Sequence, residues 1–246
     1  MLIQLTDLPL VAALFAGACI SFLARKLTFS AAITGFVCSL VIYYGTGYSG
    51  VCCLAVFFIS GTLATAWGRR KKQVLERSGD SAQRKYGQVL ANGGSATFFA
   101  FLALFFPGCI NICSVMLAAS LASATSDTLS SELGMLYGKR FYNCLTWKKE
   151  PSGLDGVVSL EGTLAGLLGA ALIAIVYCIA KQLEETEKSS DYSFLIILFA
   201  GMAGNFMDSV FGATLERKQI LNNDGVNFIT TLIAAGIAGL FYLFIN

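Results

Sequence analysis

Residues 89–126 read VLANGGSATFFAFLALFFPGCINICSVMLAASLASATS, without one Asp, Glu, Lys or Arg. A helix needs about 20 predominantly apolar residues to cross a bilayer. Pro107-Gly108 breaks the run into two such stretches, 89–106 and 109–126, because proline removes a backbone donor and interrupts a helix. Working outward, similar runs recur at 8–24, 29–46, 49–67, 157–180, 192–213 and 226–245. The whole chain agrees: 56% of its 246 residues are hydrophobic and 13% charged, with a mean hydropathy of +0.69. A soluble domain carries about 25% charged residues. The reading is all-α: a polytopic transmembrane helical bundle of about eight spans, forming one membrane domain over residues 1–246. The second and fifth spans are short, near the lower limit of about 17 residues.

The charges orient this bundle. Arg25 and Lys26 follow the first span, and the segment 68–88, GRRKKQVLERSGDSAQRKYGQ, is strongly basic. Lys139, Arg140, Lys148 and Lys149 lie in the loop 127–156, and Arg217 and Lys218 follow the seventh span. With the N-terminus outside, fifteen of the seventeen Lys and Arg residues are cytoplasmic, as the positive-inside rule requires. Lys181 and Lys188 remain, in an acidic linker. The expected location is a prokaryotic inner or plasma membrane, with the functional face toward the cytoplasm. The segment 68–88 reads first as a topology determinant lying against anionic headgroups, a reading compatible with a lid or phosphate-binding element. No nucleic-acid partner is expected. No Lys or Arg precedes Arg25, so the basic region of a secretory signal is missing.

Eight Cys and no His limit metal chemistry. Cys19, Cys38, Cys52, Cys53 and Cys178 sit inside apolar runs and read as small buried hydrophobes. Cys109 and Cys113 lack a second pair at zinc spacing. A hard cation held by oxygen is the more plausible metal.

Five polar motifs stand out, all on the cytoplasmic side. Asp208 lies within AGMAGNFMDSVFGATLE. A carboxylate in a span costs about 2.5–3.5 kcal/mol on insertion scales and marks a functional site by default. Gly201, Gly204, Asn205, Asp208 and Gly212 recur at helical spacing as a small, polar stripe. Asp127 ends the fifth span, within LAASLASATSDTLSSELG, and shares a face with Ser120, Ser123 and Ser131. Glu132 is five residues on, roughly 140° away on a continuous helix. It joins Asp127 at one ion only if the helix breaks. QVLANGG sets Gln88 and Asn92 one turn apart before Gly93-Gly94, whose backbone could cradle a phosphate or simply permit close packing. WKKEPSGLDGVVSLEGTLAG places Lys148 and Lys149 before Ser152, Gly153, Asp155 and Gly156, just ahead of a helix. That arrangement suits a triphosphate or metal phosphate, without a Walker A pattern. In LNNDGVNF, Asn222, Asn223 and Asp224 can cap a helix, and Asn227 follows one turn later. A faint likeness between SDTLSSELG and MDSVFGATLE is the one hint of a repeat.

QVLANGG, SDTLSSELG, SGLDGVVSLEGTLAG, GNFMDSVFGATLE and NDGVNF, in this order, resemble the integral membrane family that includes transmembrane protein 19 and the plant phytyl-phosphate kinases. The resemblance covers about residues 30–245. It implies a lipid kinase that converts an isoprenyl monophosphate, phytyl or geranylgeranyl, to the diphosphate. CTP or ATP would be the donor. On that basis Asp127 and Asp208, with Glu132 or Asp155, would hold Mg²⁺ on the donor phosphates. Lys148, Lys149 and the glycine-rich backbones would neutralise developing charge. Ser152 and the Val157-Val158 that follows Gly156 depart from the family pattern without removing a charged group. Ion-coupled transport or lipid flipping is the competing reading, since carboxylates in spans serve those functions too. A non-catalytic membrane scaffold is the third.

Overall fold

The computed structural model describes residues 7–68, 83–184 and 192–245. Most of the basic segment 68–88, and the acidic linker with Lys188, lie outside the described residues. The described residues form seven α-helices: α1 (Leu8–Leu23), α2 (Phe29–Ala66), α3 (Tyr86–Phe105), α4 (Ile110–Tyr137), α5 (Leu160–Leu183), α6 (Ser193–Phe211) and α7 (Asn223–Ile245). Six of them are long and apolar enough to cross a membrane, and α1, at 16 residues, is shorter. Pro107–Cys109 forms a 3₁₀ turn between α3 and α4, at the expected break. Local chemistry sets several helix starts. Thr28 Oγ1 accepts from the Ala31 N–H, Ser159 Oγ from that of Gly162 and Asn222 Oδ1 from that of Gly225, each satisfying an orphan donor of a first turn.

α4 is the central helix, packed against α2, α3, α5, α6 and α7. Residues 117–126 are all buried, and they are mostly Ala, Ser and Thr. Its neighbours meet it through glycines: a β-carbon on Gly201 would lie 2.8 Å from that of Ala122, and one on Gly169 3.1 Å from the Thr125 carbonyl. Small residues at helix contacts allow the close backbone approach on which membrane helices depend. Many large apolar side chains point outward instead. Leu168, Phe199 and Leu240 are among many that are more than half exposed, the arrangement expected where lipid is the solvent.

The expected second and third spans are joined in one helical element, α2, interrupted at Gly47. Gly47 has φ +73° and ψ −154°, a conformation open essentially to glycine alone. The chain folds back there. The Thr28 N–H donates to the Arg84 carbonyl (3.1 Å), while the Arg84 guanidinium lies 5.8 Å from the Phe57 ring centre. Leu27 and Phe58 also share one apolar cluster. A straight helix would separate Thr28 and Phe57 by about 40 Å. At the bend, Glu184 Oε1 accepts from the Ser49 N–H (2.6 Å), and its other oxygen pairs with Lys181 Nζ (3.3 Å).

Two further boundaries differ from expectation. The loop predicted at 127–156 begins as helix, because α4 continues unbroken to Tyr137. The sixth span starts at Leu160 rather than 157, since Val157–Val158 (β2) pairs antiparallel with Tyr142–Asn143 (β1).

Candidate active site

A cavity of about 800 Å³ opens among α2, α3, α4, α6, α7 and the loop between α4 and α5. Its lining is largely polar, at the end of the bundle away from Gly47. Asp127 projects from α4 and Asp208 from the last turn of α6. Their carboxyl groups come within hydrogen-bonding reach of each other. Thr230 of α7 donates to Asp208 Oδ1 (3.3 Å), and Asn205 donates to Ser126 Oγ beside the pair (2.9 Å). Two carboxylates this close need a proton or a cation between them. On the same lining, the amide oxygen of Asn227 is buried and has no hydrogen-bond partner among the described residues.

The loop after α4 forms the rim. Asn143 Oδ1 accepts from the N–H groups of Leu145 and Thr146 (both 3.0 Å), and the Cys144 N–H donates to the Gly156 carbonyl (3.0 Å). α6 ends in a π turn, Gly212–Glu216, and Arg217 follows. Arg217 ties this end to the loop: its Nη2 lies 2.6 Å from Glu150 Oε2, and its Nε donates to the Asp155 carbonyl (2.7 Å). Asp155 and Gly156 are thereby held over the cavity, with Glu216 below them.

The hydrogen bond from Arg217 holds the Glu150 carboxyl below the usual range. A depressed carboxylate pKa means the tie is complete above the ordinary glutamate value of about 4.3 and is lost as pH falls through the lowered value. Arg217→Ala should speed hydrogen exchange at the Cys144 and Val157 amides by at least about tenfold at neutral pH. Acidification below the glutamate range should reproduce that loss in the natural chain, after correction for intrinsic exchange rates. Unchanged protection in the variant would show that the loop is held otherwise.

The structure brings together Asp127, Asp208, Asp155, Gln88, Asn92, Gly153, Gly156 and Asn227, all on the cavity lining. It corrects other expectations. Lys148 and Lys149 are exposed and off the lining, because the hairpin turns them outward. Ser152 also lies off it. Gly93 and Gly94 are inside α3, which begins at Tyr86, so their amides belong to the helix ladder. Gly94 instead makes room for the Phe228 ring, 3.1 Å from where its β-carbon would be. Asn222 is the cap of α7, while Asn223 lines the cavity. Glu132 does not join Asp127 and Asp208 as a three-carboxylate set. α4 is unbroken between them, and among the described residues no three Asp, Glu or Cys side chains cluster to hold a metal alone. Glu132 also lines the cavity, and its charge acts on Arg84 as well as on Asp127. Lys26, Arg84 and Glu216 complete the charged lining; Arg84 lies in the basic segment 68–88 and Glu216 at the end of the Asp208 motif, neither standing out from sequence as a site residue.

Fold and site together define an integral membrane helical protein with a charged cavity at one end of its bundle. The chain belongs to the integral membrane protein family DUF92, whose profile matches residues 11–235. It is 36% identical to an uncharacterized membrane protein of Methanocaldococcus jannaschii, over 89% of this chain and 87% of that one. It is 30% identical to the chloroplastic protein VTE6 of Arabidopsis thaliana, over 91% of this chain and 67% of that one. Protein PGR of the same plant is 26% identical over 92% of each chain. No solved structure matches.

Proposed function

We propose that the chain is a membrane lipid kinase. It transfers a phosphoryl group from CTP or ATP to an isoprenyl monophosphate, phytyl or geranylgeranyl phosphate, giving the diphosphate. The observation that carries this reading is the division of charge within the cavity. A carboxylate pair from α4 and α6 shares the lining with Arg84 and Lys26, inside a bundle whose outer surface is apolar. Phosphoryl transfer asks mainly for positioning and charge neutralisation. An acceptor that is already an anionic phosphate needs no strong general base. The resemblance of its motifs to the family that includes the plant phytyl-phosphate kinases supports the same reading.

Magnesium usually takes one or two carboxylates, waters and substrate phosphates. Asp127, Asp208 and the unpartnered Asn227 oxygen fit that donor set. Bound there, Mg²⁺ supplies charge neutralisation on the donor phosphates. The protein's own residues do the rest. Gln88 and Asn92 offer amides to phosphate oxygens, Asp155 and the Gly153–Gly156 backbone cover the site, and Lys26 offsets charge on the transferring group.

The two arms of α2 favour eight crossing segments, each arm crossing once. Lys26 and Arg84 line the cavity and Arg217 ties its rim, whereas Lys181 lies at the Gly47 end. The positive-inside rule then favours a cytoplasmic cavity. The polar, charged cavity lies at one end of the bundle, which favours an enzyme over a transport pathway. The test is to incubate purified protein with phytyl or geranylgeranyl monophosphate, Mg²⁺ and either CTP or ATP. Diphosphate is the expected product. No diphosphate with either donor, alongside lipid or ion flux in proteoliposomes, would replace the kinase with the transporter.

A further inference from the structure

We infer that Arg84 is the residue that binds the phosphate of the lipid acceptor, an assignment that rests on the kinase reading. Arg84 precedes α3, and its backbone is fixed in both directions. Its N–H donates to the Lys26 carbonyl (2.9 Å), and its carbonyl accepts from the Thr28 N–H (3.1 Å). The side chain therefore starts from a rigid base and runs along the second arm of α2. Its guanidinium lies 5.8 Å from the ring centre of Phe57 and 6.0 Å from that of Phe58. Nη2 is 2.9 Å from where a Gly61 β-carbon would be, so the absence of a side chain at Gly61 leaves the space it uses.

The chemistry of this placement points to a phosphate. A guanidinium presents a planar fork of donors that matches two phosphate oxygens at once. Stacking on aromatic faces holds that fork without consuming its N–H groups. Glu132 is the carboxylate whose charge acts on it, and Lys26 adds a second cation on the same lining.

The position distinguishes acceptor from donor. Asp127 sits on the central helix α4, and Asp208 meets it from α6. Arg84 lies against the second arm of α2, whose Ile59 and Leu63 are 56% and 64% exposed. This wall is one helix thick, and its far side faces the lipid. A phosphate tethered to an isoprenyl chain in the bilayer meets Arg84 from the lipid edge, whereas a soluble nucleotide enters from the aqueous rim near Asp155.

The experiment measures binding in detergent without turnover, using geranylgeranyl monophosphate, geranylgeraniol, inorganic phosphate and CTP or ATP as separate probes. The natural chain should prefer the monophosphate over the alcohol. Arg84→Ala should weaken monophosphate binding roughly ten- to a hundredfold, with alcohol and nucleotide binding unchanged. Arg84→Lys should recover part of the loss. Gly61→Ala, which keeps the charge but takes the guanidinium's space, should weaken the monophosphate several-fold and provides the test should Arg84→Ala fail to fold. Full monophosphate preference in the Arg84 and Gly61 variants would overturn the assignment and leave the kinase reading standing. Loss confined to the nucleotide or to inorganic phosphate would overturn it in favour of a donor-side role. No preference for monophosphate in the natural chain would instead overturn the kinase reading itself.

Discussion

Asp127→Asn and Asp208→Asn should each lower turnover by at least about a thousandfold, a loss of roughly 4 kcal/mol of transition-state stabilisation, while the thermal midpoint in detergent stays level or rises. The two halves of this expectation have one origin. The carboxyls come from different helices and meet on a buried cavity wall. Like charges in such a place raise the free energy of the fold unless a proton or cation lies between them. Asparagine is nearly isosteric, removes one charge and can donate to the remaining carboxylate, so the folded state loses repulsion. What the substitution removes is the anionic site for a cation on the donor phosphates. A structural role predicts the reverse pattern, because breaking a needed hydrogen bond on α4 or α6 would lower the midpoint first. Turnover and thermal unfolding measured on the same preparations separate the two. Both variants active within a few-fold of the natural chain would remove the carboxylate pair from the mechanism.

Much of this arrangement was legible before any coordinates. The uncharged run 89–126 and its Pro107-Gly108 break gave two helices joined by a short 3₁₀ turn, because lipid leaves backbone no alternative to internal hydrogen bonding. Asp208 declared itself by the cost of placing a carboxylate in a span. Asp155 and Gly156 declared themselves as a loop feeding a helix N-terminus. What failed was orientation and reach. Lys148 and Lys149 lie close in sequence to Asp155, yet the β1–β2 pairing turns their loop so that they face away from the cavity. Gly93-Gly94 left a phosphate cradle and close packing equally open, because the apolar pattern begins at Val89; α3 begins at Tyr86, with Gln88 Oε1 accepting from the Lys85 N–H (2.9 Å), and Gly94 packs against Phe228. Arg84 could not be singled out from the basic segment around it. What fixes it is a backbone bridge to Leu27, far away in the chain, and a foldback at Gly47 that a hydropathy pattern cannot distinguish from an ordinary loop. A positive-φ glycine inside an apolar run leaves no compositional trace beyond the glycine itself.

Gly156→Ala should reduce activity by at least about a hundredfold and lower the thermal midpoint by several degrees, whereas Gly153→Ala should lower activity by no more than a few-fold. Both glycines have positive φ, +71° and +81°, so each substitution carries backbone strain of about 1–3 kcal/mol. Their surroundings differ. A β-carbon on Gly153 would meet nothing within 4 Å. One on Gly156 would lie 2.5 Å from the Ala213 backbone nitrogen and 2.6 Å from the Ser209 carbonyl oxygen. Those atoms belong to the end of α6 and its π turn, not to the tip of a flexible side chain, so the loop itself must lift. Lifting it breaks the Cys144–Gly156 hydrogen bond and the Arg217 contact with the Asp155 carbonyl. It also draws Asp155 off the cavity that Asp127 and Asp208 line. The comparison of the two alanines isolates that displacement from strain alone, since only one of them meets backbone. Kinetics, thermal unfolding and hydrogen exchange at Cys144 on the three proteins give the readout. If Gly156→Ala kept half the natural activity with Cys144 deprotected, the loop would be a cover for the bundle end and no part of the catalytic site.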